Sequence, residues 1–250
     1  MKEQLETIPV NEAFETQDEC PFCHMEREVE QKAIRYVVGP AATYMEPEVR
    51  AATARVGFCA HHMKSLYDYG NHLGAALILQ THTASILEEL KTMARTPQIP
   101  PKKSLFRKKP NREVPPYWER LAARKHSCYI CGKVGYNMSR RFYTFFVLLK
   151  EPEFREKVLS CKGFCMRHFG QLLQEAEEHL PNSQREWFYE TVYTLMHRNL
   201  ERVKGDLDWF VAKFDHRNAS APWNNSRDAL ARTMQKLQGL YPGDPPYKEK

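Results

Sequence analysis

Gly57-Phe-Cys59-Ala-His-His62 has a counterpart later in the chain, Gly163-Phe-Cys165-Met-Arg-His168, which shares its Gly-Phe-Cys-x-x-His pattern. The fold prediction starts from this repeat. Each copy follows a Cys-x-x-Cys pair, Cys20-Pro-Phe-Cys23 in the first and Cys128-Tyr-Ile-Cys131 in the second. The spacing from the first cysteine of the pair to the cysteine of the later motif is 39 residues in one copy and 37 in the other. This agreement in order, residue type and spacing predicts the duplication of one structural unit.

The residues between and after these motifs predict helices. Glu46-Pro-Glu-Val-Arg50 and Glu151-Pro-Glu-Phe-Arg155 place Pro47 and Pro152 in the first turn of a short helix, where the missing N–H costs nothing. Apolar residues recur at steps of three and four from Phe188 to Phe214, which predicts an amphipathic helix of roughly 30 residues. With only 11 glycines in 250 residues, a glycine-rich β protein is disfavoured. We predict an all-α fold, a duplicated helical unit that forms a pseudo-two-fold bundle.

Capping residues predict two further helix boundaries. Ser183-Gln-Arg-Glu186 has the pattern of a capping box at the start of the long helix. Ser226 or Asn225 is expected to cap a short C-terminal helix over residues 227–237, which Gly239 would end.

Composition divides the chain into four segments. Residues 1–96 and 117–216 are predicted to be the two metal-binding helical repeats, and residues 217–250 a loop, a short helix and a tail. Residues 97–116 form a proline-rich, basic stretch, which we interpret as an exposed linker.

The repeated cysteine and histidine motifs indicate two zinc sites, since zinc prefers four tetrahedral nitrogen and sulfur ligands. Grouped within each copy, the first site would consist of Cys20, Cys23, Cys59 and His62. The second would consist of Cys128, Cys131, Cys165 and His168. Four protein ligands leave no open position for water, which is typical of a structural site. We therefore expect each half to be held together by one zinc ion, although an iron–sulfur cluster with one histidine ligand is an alternative.

Several neighbouring residues compete with these ligands. His61 lies beside His62, but the repeat favours His62 because Arg167 occupies the position of His61 in the second copy. Cys161 has no counterpart in the first copy and is either a free thiol or a competitor of His168. His24 follows a ligand directly and is interpreted as a bystander.

The net charge of +6 is concentrated in the linker. Between Pro97 and Pro116 a single acid, Glu113, accompanies six cations: Lys102, Lys103, Arg107, Lys108, Lys109 and Arg112. A solvated linker explains this run, and a nucleic-acid interface is the alternative. No stretch approaches the roughly 18 apolar residues of a membrane helix, and the start of the chain lacks the apolar region of a signal peptide. We expect a cytoplasmic protein without a membrane partner, in which paired cysteines are metal ligands more often than disulfides.

The closed metal sites favour a non-enzymatic binding or scaffold protein, which would bind a protein or small-molecule partner. No phosphate-binding loop, nucleophile elbow or His-Glu-x-x-His motif is present. A thiol-based redox protein or metal-responsive sensor is the main alternative, since Cys-x-x-Cys pairs lower thiol pKa values. An active site in a groove between the two halves is a further one.

The motifs around Cys20, Cys59 and Cys165, with the later Lys213-Phe-Asp-His-Arg217 and Pro222-Trp223, resemble an uncharacterised family of bacterial cytoplasmic proteins. The resemblance extends over nearly the whole chain and is specific in its cysteine pattern. It implies a bacterial origin and brings no activity with it.

Overall fold

A computed structural model describes residues 5–16, 18–95, 117–124, 126–239 and 241–242. Within these ranges the chain forms helices and no strands. The helices are α1 (Ile8–Glu15), α2 (Pro21–Val38), α3 (Pro47–Val56), α4 (Ala60–Asp68), α5 (His72–Arg95), α6 (Tyr117–Arg124), α7 (Tyr129–Leu148), α8 (Pro152–Ser160), α9 (Met166–His179), α10 (Asn182–Ala212) and α11 (Ala229–Gln238). Short 3-10 turns occupy Thr43–Met45 and His216–Asn218. The all-α prediction is therefore confirmed, and none of the described helices combines the length and apolar character needed to cross a membrane.

Helix starts follow the sequence signals in part. Pro47 and Pro152 are the first residues of α3 and α8, as predicted. The long amphipathic helix is α10, with 31 residues. The capping-box prediction is wrong, because α10 begins after Pro181, which has no side chain that can accept a hydrogen bond. The cap expected for the C-terminal helix is also wrong, since Asp228 precedes α11, although Gly239 ends it in the left-handed conformation with a φ of 78°.

Contacts divide the chain into two compact units. Unit 1 contains the described residues of Met1–Val29 and Gly135–Pro245, and unit 2 those of Glu30–Val134. The unit boundaries fall inside α2 and α7, so each unit draws on both sequence copies. The division into repeats at residues 1–96 and 117–216 stays a prediction made from the sequence.

Unit 1 is built around a core of phenylalanine rings. Phe22 stacks on Phe142 with ring centroids 4.2 Å apart, and Phe14 stacks on Phe145 at 5.5 Å. Phe164, the phenylalanine of the second Gly-Phe-Cys motif, packs 5.8 Å from Phe22 and is fully buried. The core therefore joins the Cys-x-x-Cys segment of the first copy to the Gly-Phe-Cys segment of the second.

Unit 2 has an aliphatic core around the other two motifs. Its buried members come from the C-terminal half of α2, from α3 to α5 and from the start of α7: Ile34, Val37, Val38, Val49, Phe58, Leu66, Ala75, Ile78, Cys128 and Ile130. The backbone N–H of Tyr129 donates to the carbonyl of Gly57 (2.9 Å), and the Ser127 hydroxyl donates to the carbonyl of Val56 (2.7 Å). These bonds fix the Cys-x-x-Cys turn of the second copy against the Gly-Phe-Cys turn of the first.

Helix α11 packs on unit 1 with its polar face inward. The Lys236 side chain is fully buried, and its ammonium group donates to the carbonyls of Glu19 and Lys162 and lies 3.2 Å from the Glu19 carboxylate. Arg202 pairs with the same carboxylate at 2.5 Å. Burial lowers the pKa of Lys236, and the adjacent Glu19 carboxylate opposes that shift. A buried ion pair with additional hydrogen bonds therefore holds α11 beside the start of α2.

The segment after α10 folds back on its end. The Lys213 ammonium group donates to three backbone carbonyls, those of Asn218, Ala219 and Ala221 (2.6–3.0 Å). The Trp209 indole N–H donates to the carbonyl of Pro222 at 3.0 Å. These contacts give a structural role to the residues from Lys213 to Trp223.

Candidate metal centres

Cluster A lies in unit 1, where two helix starts meet. Cys20 directly precedes α2 and Cys23 lies in its first turn, whereas Cys165 caps α9 and His168 lies in the first turn of that helix. The imidazole Nδ1 of His168 is 3.5, 3.4 and 3.4 Å from the sulfur atoms of Cys20, Cys23 and Cys165, respectively. The sulfurs of Cys23 and Cys165 are 3.5 Å apart, far beyond the ~2.05 Å of a disulfide. Four donor atoms therefore converge on one point.

Cluster B repeats this arrangement in unit 2. Cys128 directly precedes α7 and Cys131 lies in its first turn, whereas Cys59 caps α4 and His62 lies in the first turn of that helix. The His62 Nδ1 is 3.2, 3.3 and 3.3 Å from the sulfurs of Cys59, Cys128 and Cys131. The sulfurs of Cys59 and Cys131 are 3.9 Å apart.

The separations in both clusters fit a tetrahedral ion. Zn–S bonds of about 2.3 Å and Zn–N bonds of about 2.05 Å at tetrahedral angles place sulfurs about 3.8 Å apart and a sulfur about 3.6 Å from a nitrogen. The sulfur–sulfur distances of 3.5 and 3.9 Å and the sulfur–nitrogen distances of 3.2 to 3.5 Å lie close to these values. In each cluster all four ligand atoms lie within 4.8 Å of one another. Both clusters could therefore hold a metal ion.

The grouping of ligands within each sequence copy is wrong. Cluster A combines the Cys-x-x-Cys pair of the first copy with the Cys-x-x-His motif of the second, and cluster B makes the reciprocal combination. Core packing is the reason. Phe164, beside Cys165, packs against Phe22 in the core of unit 1, whereas Phe58, beside Cys59, belongs to the buried core of unit 2 with Cys128 and Ile130. Hydrogen bonds from Tyr129 to Gly57 and from Ser127 to Val56 hold the two turns of cluster B together.

A glutamate carboxylate lies near the other ring nitrogen of each ligand histidine, within hydrogen-bond distance at His62 only. The Nε2 of His62 is 2.8 Å from the carboxylate of Glu30, and the Nε2 of His168 is 3.6 Å from that of Glu26. Such carboxylate–histidine pairs fix the tautomer and the ring orientation of a metal ligand. Both glutamates lie on α2, one helical turn apart.

In each cluster, the residue before the ligand histidine contacts the same glutamate as that histidine does. His61 lies 3.2 Å from Glu30 in unit 2, and Arg167 forms two hydrogen bonds with Glu26 in unit 1. The hydrogen bonds with Glu26 raise the pKa of Arg167, and they outweigh burial, which lowers it. The His62 Nδ1 faces the three sulfurs, whereas His61 contacts only Glu30 among these groups, and the preference for His62 as the ligand stays a prediction.

The pKa values of the groups in cluster B are shifted in opposite directions. Burial raises the pKa of Cys128, but hydrogen bonds from His62 and from the backbone of Cys131 outweigh it and lower the pKa to about 6. Burial, together with the nearby Cys128 and Cys59 sulfurs, raises the pKa of Cys131 to about 12. Burial lowers the pKa of His62, yet its bonds to Cys128 and Glu30 raise it to about 10. One thiolate is thus favoured beside His62, and burial and the neighbouring sulfurs oppose a second.

Cluster A shows the same division between its thiols. Hydrogen bonds from Cys20 and Cys23 lower the pKa of Cys165 far below its usual range. Burial raises the pKa of Cys20, and the bond to Cys165 raises that of Cys23. The backbone N–H of His168 also points at the Cys165 sulfur (3.4 Å), as expected where a helix N-terminus favours negative charge.

The two clusters differ in their exposure. All four ligand residues of cluster A are buried, none more than 4% exposed, whereas in cluster B Cys131 is exposed and Cys59 is half-buried. The end of α11 lies against cluster A. A Cβ on Gly239 would lie 3.4 Å from the sulfurs of Cys23 and Cys165 and 3.2 Å from the guanidinium of Arg167. The backbone of Gly239 therefore covers the sulfur side of cluster A.

The remaining candidates lie outside both clusters. Cys161 is buried, belongs to neither cluster, and accepts a hydrogen bond from the N–H of Gly163 at 3.4 Å. His24 lies 3.9 Å from the Glu28 carboxylate and is a bystander, as expected. The basic stretch predicted as a linker lies outside the described residues. Sequence reasoning missed Glu26, Glu30 and Gly239, although the two glutamates could have been sought as carboxylate partners on the helix after the first cysteine pair.

Comparison with known proteins gives one match. The model of a family of unknown function, DUF6062, matches residues 1–244. No curated protein and no solved structure matches the chain.

Proposed function

Because the chain belongs to this family of unknown function, DUF6062, membership assigns it no activity, and we propose from its two clusters that it is a zinc-binding helical protein with two structural sites. The observation that carries the proposal is the convergence of three sulfurs and one imidazole nitrogen in each unit, at the separations of a tetrahedral zinc complex. The donor set favours zinc over harder cations, since thiolates are soft ligands.

We interpret the chain as a duplication in which the copies exchange ligands. The helix order supports this, since α2 to α5 in the first copy correspond to α7 to α10 in the second, with the proline-started helices α3 and α8 at matching places. The reciprocal composition of the clusters is what a pseudo-two-fold relation between the copies would produce. Each ion then joins segments of both copies, so metal binding stabilises the association of the two halves of the sequence.

A non-enzymatic role agrees with the ligand sets. Four protein ligands close each coordination sphere, and zinc at such a site contributes folding free energy instead of activating a water molecule. We therefore propose a binding or scaffold protein, whose partner is a protein or a small molecule and whose thiols a reducing cytoplasm keeps available for metal. The exposure of Cys131 specifically favours one second candidate function, that of a metal-responsive or redox sensor.

Elemental analysis of double variants tests both the metal and the exchange of ligands. The purified full-length protein is expected to contain two zinc ions. Cys20→Ala/Cys165→Ala removes two ligands of one cluster and should leave one ion. Cys20→Ala/Cys59→Ala removes one ligand from each cluster and should leave none firmly bound.

Cys161→Ala serves as the matched control, because its thiol belongs to neither cluster, and it should retain two ions. If native protein from a zinc-supplemented culture contains no zinc, the proposed function is wrong. If the two double variants exchange their results, zinc is bound but the ligands are grouped within each copy.

A further inference from the structure

The two clusters have the same ligands but unequal access to solvent, and this inequality defines different roles for them. In cluster A every ligand is buried, and α11 closes the sulfur side through Gly239. In cluster B the Cys131 residue is exposed. Zinc–thiolate bonds exchange when an incoming ligand reaches the ion or its sulfurs, so exposure decides how readily an ion leaves.

We propose that cluster B is a zinc-exchange site, which takes up and releases its ion through Cys131 with a thiol-bearing acceptor, whereas cluster A holds its ion permanently. The inference rests on the proposed function, since it requires both clusters to bind zinc. In the exchange step the sulfur of the incoming thiol forms a bond to the ion and the bond from the ion to the Cys131 sulfur breaks. The proton of the incoming thiol passes to the released Cys131 sulfur, and no electron is transferred.

The surroundings of the two clusters support the assignment of roles. Before an outside ligand can reach cluster A, the end of α11 must detach, and that helix is held by the buried Lys236 ammonium group and the Glu19 carboxylate. Local opening of this kind limits access to buried groups. At cluster B no detachment is needed at Cys131, while the His62–Glu30 bond of 2.8 Å keeps the histidine side of the site in place during exchange. Cluster B is thus arranged for departure of one sulfur at a time.

The first experiment measures zinc release from the loaded full-length protein with a chromogenic zinc chelator at increasing concentrations of glutathione. We expect two phases of one ion each, with the fast phase roughly tenfold or more faster than the slow one. The rate of the fast phase should rise in proportion to glutathione, while the slow phase should not respond. Total release of two ions in a single phase would overturn the inference and leave the proposed function intact, whereas a zinc content below two per chain, counted after the protein is denatured, would overturn both.

Assignment of the phases uses the native protein and a matched pair of variants. In native protein, N-ethylmaleimide followed by mass spectrometry should modify Cys131 first and leave Cys20, Cys23 and Cys165 protected during the fast phase. Lys236→Met should accelerate the slow phase alone by loosening α11, and the exposed Lys204→Met on α10 should change neither phase. Early modification of cluster A cysteines, or acceleration of the fast phase by Lys236→Met, would contradict the assignment.

Discussion

Clusters A and B are built from the same four ligand types in the same order along two helix starts, yet one is sealed and the other is open. In cluster A the ligand histidine is 1% exposed and Gly239 lies against the sulfurs. In cluster B, Cys131 is exposed, whereas Cys23, the corresponding cysteine of cluster A, is buried. Identical donor sets can therefore differ in their access to solvent, because the packing around the donors comes from other parts of the fold.

The largest contrast is expected when one ligand is removed from each cluster. Cys165→Ala should abolish zinc binding at cluster A and unfold much of unit 1, because a structural zinc ion contributes about 10 kcal/mol or more, comparable with the whole stability of a domain. Cys59→Ala should abolish binding at cluster B and cost less helicity, since its surroundings are more open. Zinc content and circular dichroism measure both effects, and equal loss of helicity in the two variants would remove the contrast.

Acidity should weaken zinc binding at cluster B. At pH 7 zinc must displace protons from Cys131, with a pKa of about 12, and from His62, with a pKa of about 10. Cys128, with a pKa of about 6, is already ionised and contributes none. Since at least two displaced protons make affinity rise about 100-fold or more per pH unit, zinc should bind more tightly as pH rises and be lost as pH falls. Calorimetry in buffers of different ionisation enthalpy counts the protons, and a heat independent of the buffer would contradict this expectation.

The glutamates on α2 contact the ligand histidines at different distances, so their removal should affect the two clusters unequally. Glu30→Gln should lower the zinc affinity of cluster B by about 10- to 100-fold, because the His62 Nε2 lies 2.8 Å from the carboxylate it would lose. Glu26→Gln should have a smaller effect at cluster A, where the carboxylate is 3.6 Å from His168. Chelator competition measures both affinities. Glu28→Gln, on the same helix and outside both clusters, is the control, and an effect of Glu26→Gln exceeding that of Glu30→Gln would reverse the ranking.

The smallest effect is expected from the glycine that covers cluster A. Gly239→Ala introduces a side chain at a φ of 78° and should destabilise the end of α11 by about 1 kcal/mol. It should increase the rate of zinc release from cluster A by several-fold and leave cluster B unchanged. Gly205→Ala on α10, where an added Cβ meets nothing within 4 Å, should instead be neutral or slightly stabilising. If Gly239→Ala left the slow release unchanged, α11 would not be what retains the ion.

The sequence alone identified the eight cysteine and histidine residues that the structure gathers into clusters, because their pattern is local. Cys-x-x-Cys and Cys-x-x-His each place two donors within one turn of a helix start, and repetition separated His62 from His61. The partner of each motif could not be predicted in this way. Which motifs meet depends on the packing of Phe58 and Phe164, which are long-range contacts.

Helix α11 illustrates a second limit of sequence reasoning. Its apolar residues Leu230, Met234 and Leu237 form a stripe that would ordinarily predict the buried face. The structure exposes these three residues and buries the opposite face, with Lys236 at its centre. The reversal comes from the Glu19 carboxylate beneath the helix, since a buried charge needs a partner more than an aliphatic side chain needs burial. The sequence carries no local sign of that pairing.

The reciprocal ligand pairing also sets an order of events during synthesis. The ribosome has produced every donor of cluster B once Cys131 has been added, so unit 2 can acquire its ion while the rest of the chain is still being translated. Cluster A has to wait for His168, and its covering glycine arrives some 70 residues later. Cys23 therefore precedes the last donor of cluster A by 145 residues, and the donors of the open centre are complete before those of the sealed one.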